Sequence, residues 1–295
     1  MNPERSAMRN IDSNRERRIE LSPLMHHAYE KATNEVLSNP DYAIQESEFT
    51  GGEHSVYDAH TVAADIELGN RRKKEYVEKQ TPFEANSQRI ADVFEAITLM
   101  ESEQSNWLGN VTTIHTSRYD DYVNKVDLLA EWQTPESGSQ LLALGVDVTF
   151  GTSKIGNKIA AIKEEIDRGK LGSIRYYKDS RGDFMGTRNN VPRTVIGISQ
   201  PIVEQLAGLW MNGDKKSLGE HPIQRAITGQ IAVQLNAVRE YALARGNHAA
   251  AQAYEQPLAI IRKVRNEGSV TPIGTLIDDS VWQEILAQTK RQFRL

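Results

Sequence analysis

Two aspartates lie where strand-like runs should carry apolar side chains. Asp127 stands in Lys125-Val126-Asp127-Leu128-Leu129-Ala130-Glu131-Trp132, and Asp147 in Leu144-Gly145-Val146-Asp147-Val148-Thr149-Phe150. An ionised carboxylate in such a run costs about several kcal/mol unless a cation or a set of donors compensates it. Two on consecutive strands point to one shared compensator, and the economical one is a divalent ion, magnesium or manganese. Hard cations take carboxylate oxygens and water, and one or two carboxylates hold them. A third acid, Glu101, projects near the centre of the apolar stripe made by Ile90, Val93, Phe94, Ile97 and Met100, whereas Glu95 projects away from it. Beside Ser102, Glu103 and Asn106 at a frayed helix end, Glu101 could instead reach solvent. Asp121, next to Asp120, is a further candidate ligand for the same or a second ion; an Asx-type turn explains the pair equally well.

The elements that must position these acids can be read from the spacing of apolar residues. Thr81, with Glu84 three residues on and Pro82 at the first helical position, opens a helix through Met100. Val111 to His115 reads as a short strand, followed by a polar connection, Thr116 to Tyr122. Residues 125 to 132 form the next strand, with Asp127, Leu129 and Glu131 on one face, and Glu131 is expected at the solvent rim. Pro135 and Gly138 supply turn chemistry for a hairpin into a strand over 140 to 150, where Leu141, Ala143, Gly145, Asp147 and Thr149 share a face. A helix from Lys154 or Ile155 to Asp167, ended by Gly169, places Ile155, Ile159, Ile162 and Ile166 on one side and Lys158 elsewhere. Strands follow over Ser173 to Tyr177 and Arg193 to Ile198, with residues 178 to 190 between them read as a polar loop. Helices then cover Ile202 to Met211, Pro222 to Arg245, His248 to Asn266 and Ser280 to Phe293. The chain is a mixed α/β protein in three stretches: a charged, partly helical segment over 1–80 with a helix near Leu24 to Leu37, an α/β core over 81–210, and a helical region over 211–295 packed on that core.

Composition narrows the chemistry. Among 295 residues, 39% are hydrophobic and 25% charged, and none is cysteine, which excludes disulfides, zinc–thiolate sites and thiol nucleophiles. No apolar run is long enough to span a bilayer and the start is polar, so no membrane role and a cytoplasmic location are expected. A net charge of -5 gives no global attraction to nucleic acid, which leaves local patches such as Arg71-Arg72-Lys73-Lys74, a run that solvation of a helix or loop surface also explains. His26, His27, His54 and His60 fit no metal spacing and read as surface or capping residues. Gly151-Thr152-Ser153-Lys154 lacks the first glycine of a phosphate loop, and no nucleophile elbow supports a triad of Ser117, His115 and Asp120. The four tryptophans read as core or interface anchors.

A helix acid, an aspartate early on one strand, Asp-x-Thr on the partner strand, then a helix and a further strand resemble the PD-(D/E)XK, or restriction-endonuclease-like, nuclease superfamily. The resemblance covers about residues 84 to 199. It is carried most by Tyr119-Asp120-Asp121-Tyr122-Val123-Asn124-Lys125-Val126-Asp127 and Gly145-Val146-Asp147-Val148-Thr149. It implies an αβββαβ core around a mixed sheet, with added N- and C-terminal helices. It also implies a magnesium- or manganese-dependent hydrolysis of phosphodiesters in DNA or RNA, so nucleic acid is the implied partner. Carried over residue by residue, Glu101 (or Glu103) matches the helix acid, Asp127 the first motif acid and Asp147 the second. Thr149 stands where the family has lysine, and its charge must then come from elsewhere: Lys154 first, with Lys158 and Lys125 as alternatives. On this reading Asp127, Asp147, Glu101 and Asp121 hold metal, and Asp147→Ala abolishes cleavage while leaving the fold intact or steadier. The missing lysine also suits a fold that has lost catalysis and serves as a binding module. A homodimer is left open.

Overall fold

The computed structural model describes residues 20–51, 55–133, 141–267 and 274–294. Helix α1 (Pro23–Lys31) is capped by Ser22 and runs on through π-type turns over Ala32–Leu37. Helix α2 (Ala59–Glu78) begins at Asp58, whose side chain accepts from the Thr61 amide, and carries the basic run on its exposed surface. Helix α3 (Pro82–Gln104) starts on the capping box expected of Thr81 and Glu84. Strand β1 (Thr112–His115) leads through a π-type turn (Asp120–Asn124) to β2 (Leu128–Gln133) and β3 (Leu141–Phe150). Pro135 and Gly138, the expected turn residues, lie outside the described residues, as does His54.

Helix α4 (Ile155–Asp167) buries Ile155, Ile159, Ile162 and Ile166 as the spacing requires, and Gly169 follows in the left-handed region at φ 69°. Next come β4 (Gly172–Lys178), β5 (Met185–Val191) and β6 (Arg193–Ile198). Strand β5 corrects the loop expected there: it pairs antiparallel with β4 as a separate two-stranded ribbon. Gly186, Asn189 and Asn190 are poor strand formers, so local preference gave no sign of it, and the pairing is broken by irregularities opposite Ile174. Helices α5 (Gln200–Met211), α6 (Lys215–Gly219), α7 (Ile223–Ala244), α8 (His248–Glu267) and α9 (Ser280–Phe293) complete the chain.

The main sheet has the order β1-β2-β3-β6. The first three strands run antiparallel to their neighbours, Leu129 opposite both Ile114 and Gly145, and β6 lies parallel to β3 with Asp147 opposite Val195. The parallel step needs a crossover, which α4 and the β4–β5 ribbon provide. Helix α3 packs on β1 and β3, while α7 and α9 pack on β6. Along the outer edge of β6, two glutamines of α7 stand in for a strand. Gln230 accepts from Gly197 N at 3.0 Å and donates to Gly197 O at 2.7 Å; Gln234 does the same for Val195 at 2.9 and 2.6 Å. Their i, i+4 spacing on the helix matches the i, i+2 spacing on the strand. The principal core draws on every stretch of the sequence, from Met25 through Ile97 and Val146 to Phe293, with all four tryptophans buried. Among the described residues, no helix is long and apolar enough to cross a membrane.

Candidate functional site

Asp147 is held near the middle of β3, between two strands, and only 6% of it is exposed. Its compensator is a side chain. Lys158, one turn into α4, donates to Asp147 Oδ1 and to Val148 O at 2.7 Å. On the other side, Arg193 Nη2 lies 3.9 Å from Asp147 Oδ2. Arg193 is itself buried, bound to Glu165 at 2.6 Å and to the carbonyl of Lys125, and its Nε has no hydrogen-bond partner. Its stem crosses Gly172, where an added Cβ would lie 2.8 Å from Arg193 Cδ; glycine there leaves the arginine room to reach the sheet.

Asp127 sits at the mouth of β2. Lys125, left-handed at φ 60°, turns the chain out of the π-type turn and aims the aspartate across the strand pair. Asp127 Oδ2 accepts from Val148 N at 2.7 Å, so this acid is fixed by a backbone donor two atoms of chain away from Asp147. Burial first, then the fields of Asp147 and Glu95, holds its proton affinity well above the usual carboxylate range.

Glu95, on α3, supplies the third acid. It is buried, and its Oε1 lies 2.9 Å from His115 Nε2 without the alignment of a hydrogen bond, so this oxygen has no hydrogen-bond donor. Burial, then Asp121, Asp92 and Asp147 raise its pKa strongly, with Lys158 opposing. Burial lifts Asp92 to about 6 against Gln88, His115, Lys73 and Arg89. Burial also lifts Asp121 to about 6, with Asp92 and Asp147 adding to it and His115 and Lys125 opposing, and burial lowers His115 against the fields of Asp121 and Asp92. Burial also disfavours the Lys158 ammonium, but Asp147 and Asp127 outweigh it and the net pKa is raised. Asp92, His115, Asp121, Asp127 and Lys158 each keep part of their surface exposed, so solvent reaches the margin of the cluster.

Several sequence expectations are corrected here. Glu101 is buried but six residues further along α3, about 9 Å down the axis, where it accepts from Ser105 Oγ at 2.5 Å and faces none of these acids. Glu103 accepts from Thr113 N and anchors β1. The one-face reading of α3 failed because the helix is buried on nearly all sides from Ile90 to Ser102, so Glu95 is also enclosed. Lys154 leaves the cluster to donate to Tyr76 OH at 3.1 Å, and Lys158 takes the position foreseen for it. A flank signal existed: residue 158 falls three after Ile155 and four before Ile162. Thr149 shares the face of Asp147 but lays its methyl over Gly197, where a Cβ would meet it at 2.6 Å. Asp120 is structural, accepting from Ser117 Oγ, Asn124 Nδ2 and the amides of Arg175 and Tyr176. Glu131 is buried rather than at the rim, bound by Tyr177 OH and by Ser180 N at 2.9 Å.

The arrangement gathers oxygen donors from a helix, a turn, a strand mouth and a strand around one lysine. Among the described residues, no three His, Asp or Glu side chains converge closely enough to form a ready metal cage. Asp147, Asp127 and Glu95 face one another through their fields, with Lys158 holding the charge of the first. Compared with known proteins, the chain matches no family model, no curated protein and no solved structure.

Proposed function

We propose that the chain is a divalent-cation-dependent phosphodiesterase acting on nucleic acid, with Glu95, Asp127, Asp147 and Lys158 as its working residues. The observation that carries this reading is Glu95: a buried carboxylate with an undonated oxygen, lying in the fields of Asp121, Asp92 and Asp147. A fold gains nothing from that crowding, because apolar residues of the same volume would pack there at lower cost. The donor set fits a hard cation in kind, all carboxylate oxygen with no sulfur. When bound, magnesium or manganese supplies polarisation of a phosphoryl oxygen and a more acidic water.

The remaining roles belong to the chain. Glu95 and Asp127, both with raised proton affinity, are suited to hold a water and to accept its proton. Lys158, at hydrogen-bonding distance from Asp147 and on a flexible stem, is suited to place positive charge against a phosphoryl oxygen, the task that Thr149 lacks the group for. Arg193, 3.9 Å from the other oxygen, leaves Asp147 a cationic neighbour when Lys158 turns to substrate. Further support comes from the order of elements. With the β4–β5 ribbon set aside as an insertion, the main sheet and its helices follow a helix, three antiparallel strands, a helix and a strand parallel to the third, which is compatible with the αβββαβ order that the restriction-endonuclease-like resemblance implies.

A second reading, a binding module without catalysis, is favoured by the ion pair itself, since Lys158 already satisfies Asp147. The two are separated by assaying cleavage of single-stranded and duplex DNA and RNA by the purified full chain with magnesium or manganese. Glu95→Gln is expected to lose at least about 100-fold and Glu101→Gln to stay within about twofold. No cleavage under any of these conditions, together with no calorimetric heat from manganese that Asp127→Asn removes, supports the module.

A further inference from the structure

Beside the acidic cluster lies an aromatic shelf edged with lysine. Tyr76 of α2 and Tyr122 of the π-type turn meet edge to face, centroids 6.3 Å apart and planes at 64°, and both are partly exposed. Tyr122 adjoins the acids: burial, then Asp121, Asp92, Glu95 and Asp127, drives its hydroxyl pKa up. On the outer side stand three exposed ammonium groups. Lys154 Nζ lies 4.9 Å from the Tyr76 centroid, and Lys73 and Lys125 lie 5.9 and 6.0 Å from that of Tyr122. Arg72 and Lys74, in the same basic run, are paired with Glu75 and Glu78. Among the described residues, the three shelf lysines have no carboxylate within ion-pair distance; Lys73 and Lys125 lie over the Tyr122 ring, and Lys154 donates to Tyr76 OH at 3.1 Å beside its ring. Lys73 and Lys125 also act through their fields on Asp92 and Asp121, and Lys154 on Glu84. In a chain of net charge -5, exposed cations collected at one rim next to acids, none in a close ion pair, point to a polyanion that crosses the rim to reach them.

From this juxtaposition we infer that the shelf receives a nucleic-acid strand whose bases are unpaired: a single strand, a flap or a frayed end. The inference rests on the phosphodiesterase reading of the neighbouring acids and names its substrate class. Lysines that leave the tyrosine rings for phosphates expose the ring faces, and an unpaired base has a face to stack on them. A duplex hides its base faces and would use the lysines alone, so the tyrosines discriminate between the two.

The test measures fluorescence anisotropy of a labelled oligothymidylate and of a duplex of equal length, with the full chain in EDTA, across a salt series. Wild type is expected to favour the single strand by about tenfold, and Tyr122→Leu or Tyr76→Leu to erase most of that preference while duplex binding stays unchanged. Lys73→Gln combined with Lys125→Gln should weaken both ligands and flatten the single-strand salt slope by about 0.7 per lysine. Circular dichroism checks that each variant is folded, and the exposed-helix variant Tyr76→Leu carries the test if Tyr122→Leu is not. Equal affinity for the two ligands, a duplex preference, or single-strand binding indifferent to both tyrosine variants overturns the inference. Because EDTA removes cleavage, the two readings fail separately. Binding of this pattern in a chain that cleaves nothing upholds the shelf and ends the phosphodiesterase reading; cleavage without tyrosine dependence does the reverse.

Discussion

Replacing Lys158 by methionine, Asp147 by asparagine, and both together tests whether a side chain is the compensator of the strand acid. Lys158 makes two contacts, one to Asp147 and one to Val148 O, and three-quarters of its side chain is out of water. At hydrogen-bonding range and an effective dielectric of about 20, the attraction it provides is about 5 kcal/mol before desolvation is subtracted. Breaking a buried pair from one side costs about 3–5 kcal/mol. Arg193 remains 3.9 Å from the other oxygen, which reduces the loss. Lys158→Met is therefore expected to cost about 2–4 kcal/mol. Asp147→Asn should cost less, about 1–3 kcal/mol, because Asp127 still faces the ammonium. The double variant loses both charges and should lie within about 1–2 kcal/mol of wild type, so the coupling is about 1 kcal/mol or more. Urea unfolding at neutral pH in EDTA measures all four proteins. A coupling below about 0.5 kcal/mol would refute the claim that these two residues compensate one another. The same geometry reverses the expectation that removing Asp147 steadies the fold, since the loss strands a buried ammonium.

Two further outcomes follow from the surroundings of the acidic cluster. Asp121 binds its proton more tightly folded than unfolded, with a folded pKa of about 6, so its penalty is absent at low pH, grows from about pH 4 and is complete above about pH 6. Asp121→Asn should accordingly stabilise the protein by about 1–2 kcal/mol at pH 8, after discounting for its partial exposure, and by less at pH 5; a lower urea midpoint at pH 8 contradicts this. Asp120→Ala orphans two backbone amides and two side-chain donors and should cost about 3–5 kcal/mol, read as a fall in thermal midpoint, whereas a loss under about 1 kcal/mol would show that water replaces the carboxylate freely.

Repetition made the scaffold legible. The capping box at Thr81, the isoleucines of α4 and the run Arg193 to Ile198 each state their structure several times over, and the chain obeys them. The strand acids Asp127 and Asp147 were visible because they break an apolar pattern. Glu95 was not, since a helical wheel resolves one buried face and α3 is enclosed by sheet and helices together. Lys158 was legible only as one of three candidate lysines and Arg193 not at all, because their partners lie on other elements, and only the register of β3 with β6 and the crossover of α4 bring them to Asp147. Strand β5 went unseen because its pairing with β4, rather than its own composition, makes it a strand.

The glutamine pair on α7 has a consequence for how molecules of this chain can meet. By answering the amides and carbonyls of Val195 and Gly197 from within, Gln230 and Gln234 deny that margin of the sheet to any incoming β-segment. Self-association by continuing the sheet past β6 is closed off, as is capture of an extended peptide there. Replacing both glutamines by leucine would leave four main-chain groups buried under α7 without partners, so the seam is guarded by a cost to folding as well as by the helix that covers it.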